Sequence, residues 1–254
     1  MVILMSKFSE TKKKPFFYKV LRRIVTLFLK RREFLGKDNM PSEPSIYVGN
    51  HAQMYGPLVS EAYFPGKKYI WCIGQMMKMK EVPAYAYEDF WHLKPKWIKW
   101  FFKIVSYLIA PIASYVLSRA DTIAVYKDAR LMATYRDSMD KLNEGANIVI
   151  FPECQKEFNN IVNEFQDKFI DVARLYYRKT GKKVKFVPMY NAVKLRKVVF
   201  GKPIEYNPDI DINEQRKIIC DYLKEEITRI AQELPTHKVV PYNNVSSKHY
   251  PMSK

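Results

Sequence analysis

Apolar residues along the chain gather in short, nearly continuous runs, separated by stretches in which they recur every three or four positions. The short runs are SIYVGN (45–50), KYIWCI (68–73), TIAVYK (122–127), NIVIFP (147–152), VKFVPMYN (184–191) and VVFGKPIEY (198–206). They are β-branched and aromatic, and most are apolar throughout, as strands covered on both faces are. Helical spacing occupies 96–118, 128–143, 162–180 and 213–233. Gly145 and Gly181 follow two of these segments, where a left-handed cap is useful. The alternation predicts an α/β fold, a mostly parallel central sheet flanked by helices. Residues 235–254 are polar, with Pro and Ser, and predict a loosely ordered tail.

Two other patterns do not fit a plain core. Near the start, Phe16, Phe17, Val20, Leu21, Ile24, Leu27 and Phe28 recur at helical spacing, with Lys19, Arg22, Arg23, Lys30 and Arg31 largely on other faces. This predicts an N-terminal amphipathic helix lying on a membrane surface. The second is IVSYLIAPIASYVLS (104–118), 15 residues between Lys103 and Arg119. It is shorter than the ~20 apolar residues of a spanning helix. It reads as a helix that is buried or dips into an interface, or else as a re-entrant segment.

Charge sharpens the picture. The 254 residues carry 43 Lys and Arg against 26 Asp and Glu, a net charge of +17. Residues 1–37 hold eleven basic and two acidic residues, about half of that excess. A stripe packed on the chain's own core is the commoner fate of such helices, but it does not account for this density. Each cation near an anionic bilayer adds roughly 1 kcal/mol. Trp71, Trp91, Trp97 and Trp100 lie in or beside 67–103, where KPKWIKWFFK (94–103) interleaves Lys with aromatics. That chemistry suits a headgroup boundary, and it also suits single-stranded nucleic acid; Trp97 alone reads as a core residue. A chain 48% hydrophobic with only 8 Gly is neither disordered nor collagen-like. Cys72, Cys154 and Cys220 are far apart without a C-x-x-C, which points to no disulfide framework, no metal site and a reducing cytosol. The opening MVILMSKFSE has too short an apolar stretch for a secretory signal.

Ligands of open α/β sheets bind at the carboxyl ends of strands. Three predicted strands end in conspicuous polar residues: Gly49-Asn50-His51, Phe151-Pro152-Glu153-Cys154, and Val187-Pro188-Met189-Tyr190-Asn191. One His, one Glu and a Pro-marked turn there make a candidate site, although each taken alone is weak.

Taken in order, these segments resemble the glycerolipid acyltransferase family, the lysophosphatidate-type enzymes. Asn50-His51 resembles the start of its first block, N-H-x4-D, and Ile123-x-Val125-x-Lys127 its second. Phe151-Pro152-Glu153 resembles the third, usually F-P-E-G-T-R, and Val187-Pro188 with Tyr190-Asn191 the fourth. The resemblance spans roughly residues 40 to 206. It implies three parts: 1–37 a basic membrane-docking segment, 38–234 an acyltransferase-like α/β domain, and 235–254 a polar tail.

Acyl transfer is the implied chemistry. A hydroxyl of a lysophospholipid or other glycerolipid acceptor attacks a thioester, with His51 as general base. No metal and no cofactor are implied; acyl-CoA or acyl-carrier protein is the co-substrate, and the acidic carrier would suit the basic surface. Lys127, Glu153, Lys156, Pro188 and Asn50 are the implied substrate contacts, Pro188 shaping a turn beside the acyl chain. The other partner is an anionic membrane surface, with the protein peripheral on its cytoplasmic face. This chain departs from the family where the Asp of the first block is Gly56, where Glu153-Cys154-Gln155-Lys156 replaces E-G-T-R, and where Lys127 replaces Arg. Without the Asp, another group orients the imidazole, the candidates being Tyr55, Glu61, Glu88 and Asp89, or His51 works unassisted, or the protein no longer catalyses. Cys154 could be read as a nucleophile, but the implied reaction needs no covalent step. The alternatives are a catalytically impaired descendant that binds lipid or a partner and, weakest, a nucleic-acid-binding protein.

Overall fold

The computed structural model describes residues 14–88 and 95–254. Lys7, Lys12, Lys13, Asp89, Trp91, His92 and the side chain of Phe28 lie outside the described residues. In chain order the elements are α1 (Phe16–Leu29), β1 (Glu33–Leu35), β2 (Ile46–Gly49), α2 (Tyr55–Tyr63), β3 (Lys68–Ile73), α3 (Val82–Ala86), α4 (Lys99–Leu117), β4 (Thr122–Val125), α5 (Leu131–Asn143), β5 (Asn147–Ile150), β6 (Glu153–Phe158), β7 (Asn163–Phe165), α6 (Asp171–Thr180), β8 (Lys185–Ala192), β9 (Lys197–Phe200), β10 (Ile204–Glu205) and α7 (Ile212–Glu233).

The main sheet runs β1-β9-β8-β2-β5-β3-β4, with β10 also on β8. Five of its pairings are parallel, and those of β8 with β9 and β10 are antiparallel. This is an α/β fold with a largely parallel sheet. The central strands β2, β5 and β8 are covered on both faces, which is why they read as unbroken apolar runs. One face packs Val48, Ile150, Phe186 and Tyr190 against α5, α6 and α7. The other packs Tyr47, Val149, Val187 and Met189 with Val59 and Phe64 of the α2 region.

Several elements differ from the sequence reading. The predicted strand 198–206 is two strands, broken at residues 201–203. The predicted helix 162–180 begins with β7, and its helical part starts only at Asp167–Ile170 as a 3-10 turn leading into α6. β1 pairs with β9, so the sheet extends into the N-terminal 37 residues. The tail is packed rather than loose: His237, Val239, Val240 and Ser253 are buried. Lys238 bridges Met252, and Val239 N–H donates to the Pro251 carbonyl at 2.8 Å.

α1 is held chiefly by polar contacts, with Leu29 at its end buried in the core. Tyr18 is buried and donates to Glu61 at 2.8 Å, Arg22 donates to the carbonyls of Glu61 and Ala62, and Glu61 also pairs with Lys68. Lys14 meets Asp121 at 2.7 Å. Phe16, Phe17, Ile24 and Leu27 point outward. α4 likewise presents Trp100, Phe101, Ile104, Tyr107, Leu108 and Ile112, with Trp97 just before it, to the outside. It packs only a narrow opposite stripe, including Ala110 and Ala113, on Met76 and Val82. The helix has 19 residues, and its most apolar 18-residue stretch has a mean hydropathy of 1.6 with 11% of it buried. The helix is thus long and apolar enough to cross a membrane and is not a core helix, correcting the buried option. Trp97, read as a core residue, is 75% exposed. Phe17 of α1 meets Tyr115 of α4 edge to face at 5.4 Å, which joins the two apolar surfaces.

Candidate active site

Register brings the motifs together. Val48 of β2 lies opposite Ile150 of β5 and Pro188 of β8. Three residues further along each strand, His51, Glu153 and Asn191 meet at one carboxyl edge. Glu153 accepts the backbone N–H of His51 through one oxygen and that of Asn163 through the other, the latter at 2.8 Å. The carboxylate therefore ties the end of β2 to the β6–β7 hairpin. Expected to meet acceptor hydroxyls, it instead has both oxygens occupied by backbone donors and is 3% exposed. Burial pushes its pKa up to about 7, against the pull of the two amides.

Asn50 is also occupied. Its Oδ1 accepts the backbone N–H of Asn191 at 2.7 Å, and the Asn191 amide donates to the Asn50 carbonyl at 3.0 Å. The pair clamps the ends of β2 and β8. Pro188, expected in a turn beside an acyl chain, is buried within β8. A central strand tolerates this proline because its nitrogen faces the break between β9 and β10, where Gly201 N–H donates to the Pro188 carbonyl at 2.9 Å.

The imidazole of His51 is half-buried, with the rings of Phe151 and Tyr242 edge-on at 5.6 and 5.3 Å. Its Nδ1 contacts the backbone carbonyl of Gln53. This is possible because Ala52 and Gln53 both adopt left-handed backbone, at φ 48° and 55°. Such conformations are costly for residues with a Cβ and cluster at functional sites. The loop closes when Gly56 N–H donates to the His51 carbonyl at 3.0 Å. A Cβ at Gly56 would lie 2.8 Å from the carbonyl oxygens of Asn50 and His51 and from Phe151 Cε1, so the position of the family's Asp is sterically closed. Of the proposed substitutes, Glu61 is engaged with Lys68 and Tyr18, Tyr55 opens α2, and Glu88 is exposed beyond α3. The Gln53 carbonyl was not legible in the sequence, because a backbone atom leaves no residue-type signal. Burial lowers the His51 pKa below its ordinary 6.5, and the Gln53 bond works the other way.

Lys127 and Lys156 are both exposed, and neither has an ion pair among the described residues. Lys127 follows β4, three strands from β2, roughly 14 Å across the edge at ~4.8 Å per strand. Lys156 lies in β6. Cys154 Sγ donates to the Glu164 carbonyl at 3.3 Å, and burial raises its pKa, so it is held as a thiol. A cavity of about 480 Å³ lies between the hairpin and α7, and its lining includes the charged residues Glu157, Asp221, Lys224 and Arg229. It does not include His51. A much smaller cavity beside the Asn50–Asn191 clamp is lined by Arg32, Tyr55 and Asn191. Among the described residues, no group of three or more His, Cys, Asp or Glu could hold a metal.

No protein-family model matches the chain, and no curated protein sequence matches it. Among solved structures, the chain is similar to the crystal structure of the 1-acyl-sn-glycerophosphate (LPA) acyltransferase PlsC from Thermotoga maritima. The identity is 16%, over 86% of this chain and 79% of that one, with a TM-score of 0.49.

Proposed function

We propose that this protein is a peripheral membrane acyltransferase that moves a fatty acyl group from a thioester donor, acyl-CoA or acyl-carrier protein, to a hydroxyl of a lysophospholipid or other glycerolipid. The observation that carries this reading is the His51 imidazole at the carboxyl end of β2, with Nδ1 bonded to a carbonyl. A proton on Nδ1 leaves the lone pair on Nε2, as a general base requires. In the proposed reaction Nε2 takes the proton of the acceptor hydroxyl while its oxygen bonds to the thioester carbon. The tetrahedral intermediate then expels the thiolate, breaking the C–S bond, and the imidazolium returns the proton to sulfur. Glu153 and Asn50 position the His51 backbone. Lys127 and Lys156 supply cations for the phosphates of either substrate. The motif order over residues 40 to 206 supports this class of reaction.

The exposed apolar residues of α1 and α4, with Lys19, Arg23, Lys30 and Arg31 on or beside α1, support docking on an anionic bilayer, on its cytoplasmic face. A second reading, a non-catalytic descendant that binds lipid or a partner at the membrane, is favoured by Gly56 together with the altered third block Glu153-Cys154-Gln155-Lys156.

His51→Ala is the direct test. The variant is expected to fold and bind anionic vesicles as the parent does, and to lose labelled acyl transfer by ~10²–10⁴-fold. Equal transfer by variant and parent would remove His51 as the base. No turnover by the parent with any acceptor and either donor would favour the second reading. Because the folded imidazole resists protonation, the acid limb of activity should fall below pH 6.5.

A further inference from the structure

We infer that residues 241–245, near the C-terminus, belong to the active site and hold Gln53 and the His51 ring in the working orientation, the task left open by Gly56. The inference deepens the acyltransferase reading and rests on it.

A carbonyl can orient an imidazole only if the carbonyl is itself held still. Gln53 sits in a loop with two successive left-handed residues, which local interactions do not favour. The support comes from about 190 residues away. Gln53 N–H donates to the Pro241 carbonyl at 3.1 Å, and its Nε2 reaches the carbonyls of Asn243 at 3.2 Å and Val245 at 3.3 Å. One residue thus makes three bonds to the same segment, while its own carbonyl faces Nδ1 of His51. Between these contacts, the Tyr242 ring meets the imidazole edge-on at 5.3 Å.

The segment is anchored on both sides. Before it, Val239 and Val240 are buried, and His237 packs with the Tyr190 hydroxyl at 2.8 Å. After it, Ser253 N–H donates to the His237 carbonyl at 2.9 Å, and Pro251 accepts from Val239. Residues 241–250 are therefore a loop closed at its base, and one side of the loop lies on the catalytic turn. The titratable groups around His51 are the Glu153 carboxyl, on its backbone side, and the Tyr242 phenol. Gln53 and Tyr242 are positioning residues, since both act through His51.

The test uses the full chain carrying Tyr242→Ala, Tyr242→Phe or Gln53→Gly. Glycine suits the left-handed backbone and deletes only the side-chain bonds. Two readouts are taken on each: acyl transfer from acyl-CoA to a lysophospholipid, and the tautomer and titration of His51 by nitrogen-15 NMR. In the parent the Nδ1-protonated tautomer is expected. Tyr242→Ala and Gln53→Gly should give a mixture of tautomers, a His51 midpoint moved up toward 6.5 as water reaches the ring, and kcat at least 10-fold lower with KM changed less than 3-fold. Tyr242→Phe, which keeps the ring, should behave as the parent. If Tyr242→Ala does not fold, Gln53→Gly carries the test. Parental tautomer, midpoint and kcat in a folded Tyr242→Ala or Gln53→Gly overturn the inference. If the parent transfers nothing, the acyltransferase reading fails, and the NMR comparison still decides whether this segment sets the ring.

Discussion

The corner around His51 and the face formed by α1 and α4 break the ordinary partition of residues in opposite directions. At the corner, polar groups are buried: Asn50, Asn191 and Glu153 are each less than 5% exposed, and they make hydrogen bonds to backbone or to one another. On the helical face, large apolar side chains stand in the open, Phe16 at 81% and Leu108 at 67%. Buried polar groups demand fixed partners, so the corner is rigid and sensitive to geometry. Exposed apolar groups demand only a nonpolar surface, so the face tolerates changes of shape and fails on changes of polarity. The two regions should therefore respond to different kinds of substitution.

The largest effect that would break this contrast is expected on the face. Leu108→Glu should lower binding to anionic vesicles by ~10- to 100-fold, the scale of a charge placed in hydrocarbon, while turnover of a short-chain soluble acceptor stays at the parental rate. Sedimentation with vesicles measures it; unchanged binding would mean that α4 meets something other than lipid. At the corner, restoring the family residue should do harm. Gly56→Asp forces a Cβ to within 2.8 Å of two carbonyl oxygens and a ring carbon. A stability loss of ~1–3 kcal/mol is expected, seen as a melting point lower by several degrees with reduced activity. A gain in activity would show that the loop accepts a carboxylate and that Gln53 is dispensable.

Glu153 gives a subtler signature. The folded chain holds its proton up to about pH 7, whereas the unfolded chain releases it near the ordinary 4.5. Between those values the folded state binds more protons, so stability falls as pH rises through the window, by on the order of 3 kcal/mol. His51 acts oppositely: with its pKa lowered, its contribution is present above 6.5 and is lost as pH falls. Subtracting the melting curves of Glu153→Gln from those of the parent isolates the carboxyl, and a difference flat from pH 5 to 8 would contradict the assignment. The smallest effect expected is that of Arg23→Ala on vesicle binding, about 5-fold for ~1 kcal/mol at low salt, vanishing as salt rises.

The sheet was largely legible because β2, β5 and β8 are covered on both faces and so spell unbroken apolar runs. β6 and β7 were not, because ECQKEF lies mostly exposed and NEF, with Asn163 and Phe165 buried, is too short to show a period that separates hairpin from loop. The meeting of His51 with Glu153 followed from two motifs at adjacent strand ends. Their roles did not follow, since whether a carboxylate faces a substrate or two amides depends on a bond no residue type announces. What was hidden in α1 was its docking: Tyr18 and Arg22 hold it through Glu61, a residue read as a possible orienter of the imidazole.

The distance along the chain between Gln53 and its support sets a schedule. During synthesis at ~5–20 residues per second, about 10 to 40 s separate the emergence of residue 53 from that of residue 243. Throughout that interval the basic helix α1 is already outside the ribosome, while the turn bearing the imidazole lacks its brace. The turn bearing the imidazole gains its brace only once residue 245 has been made, about 190 residues after the turn itself.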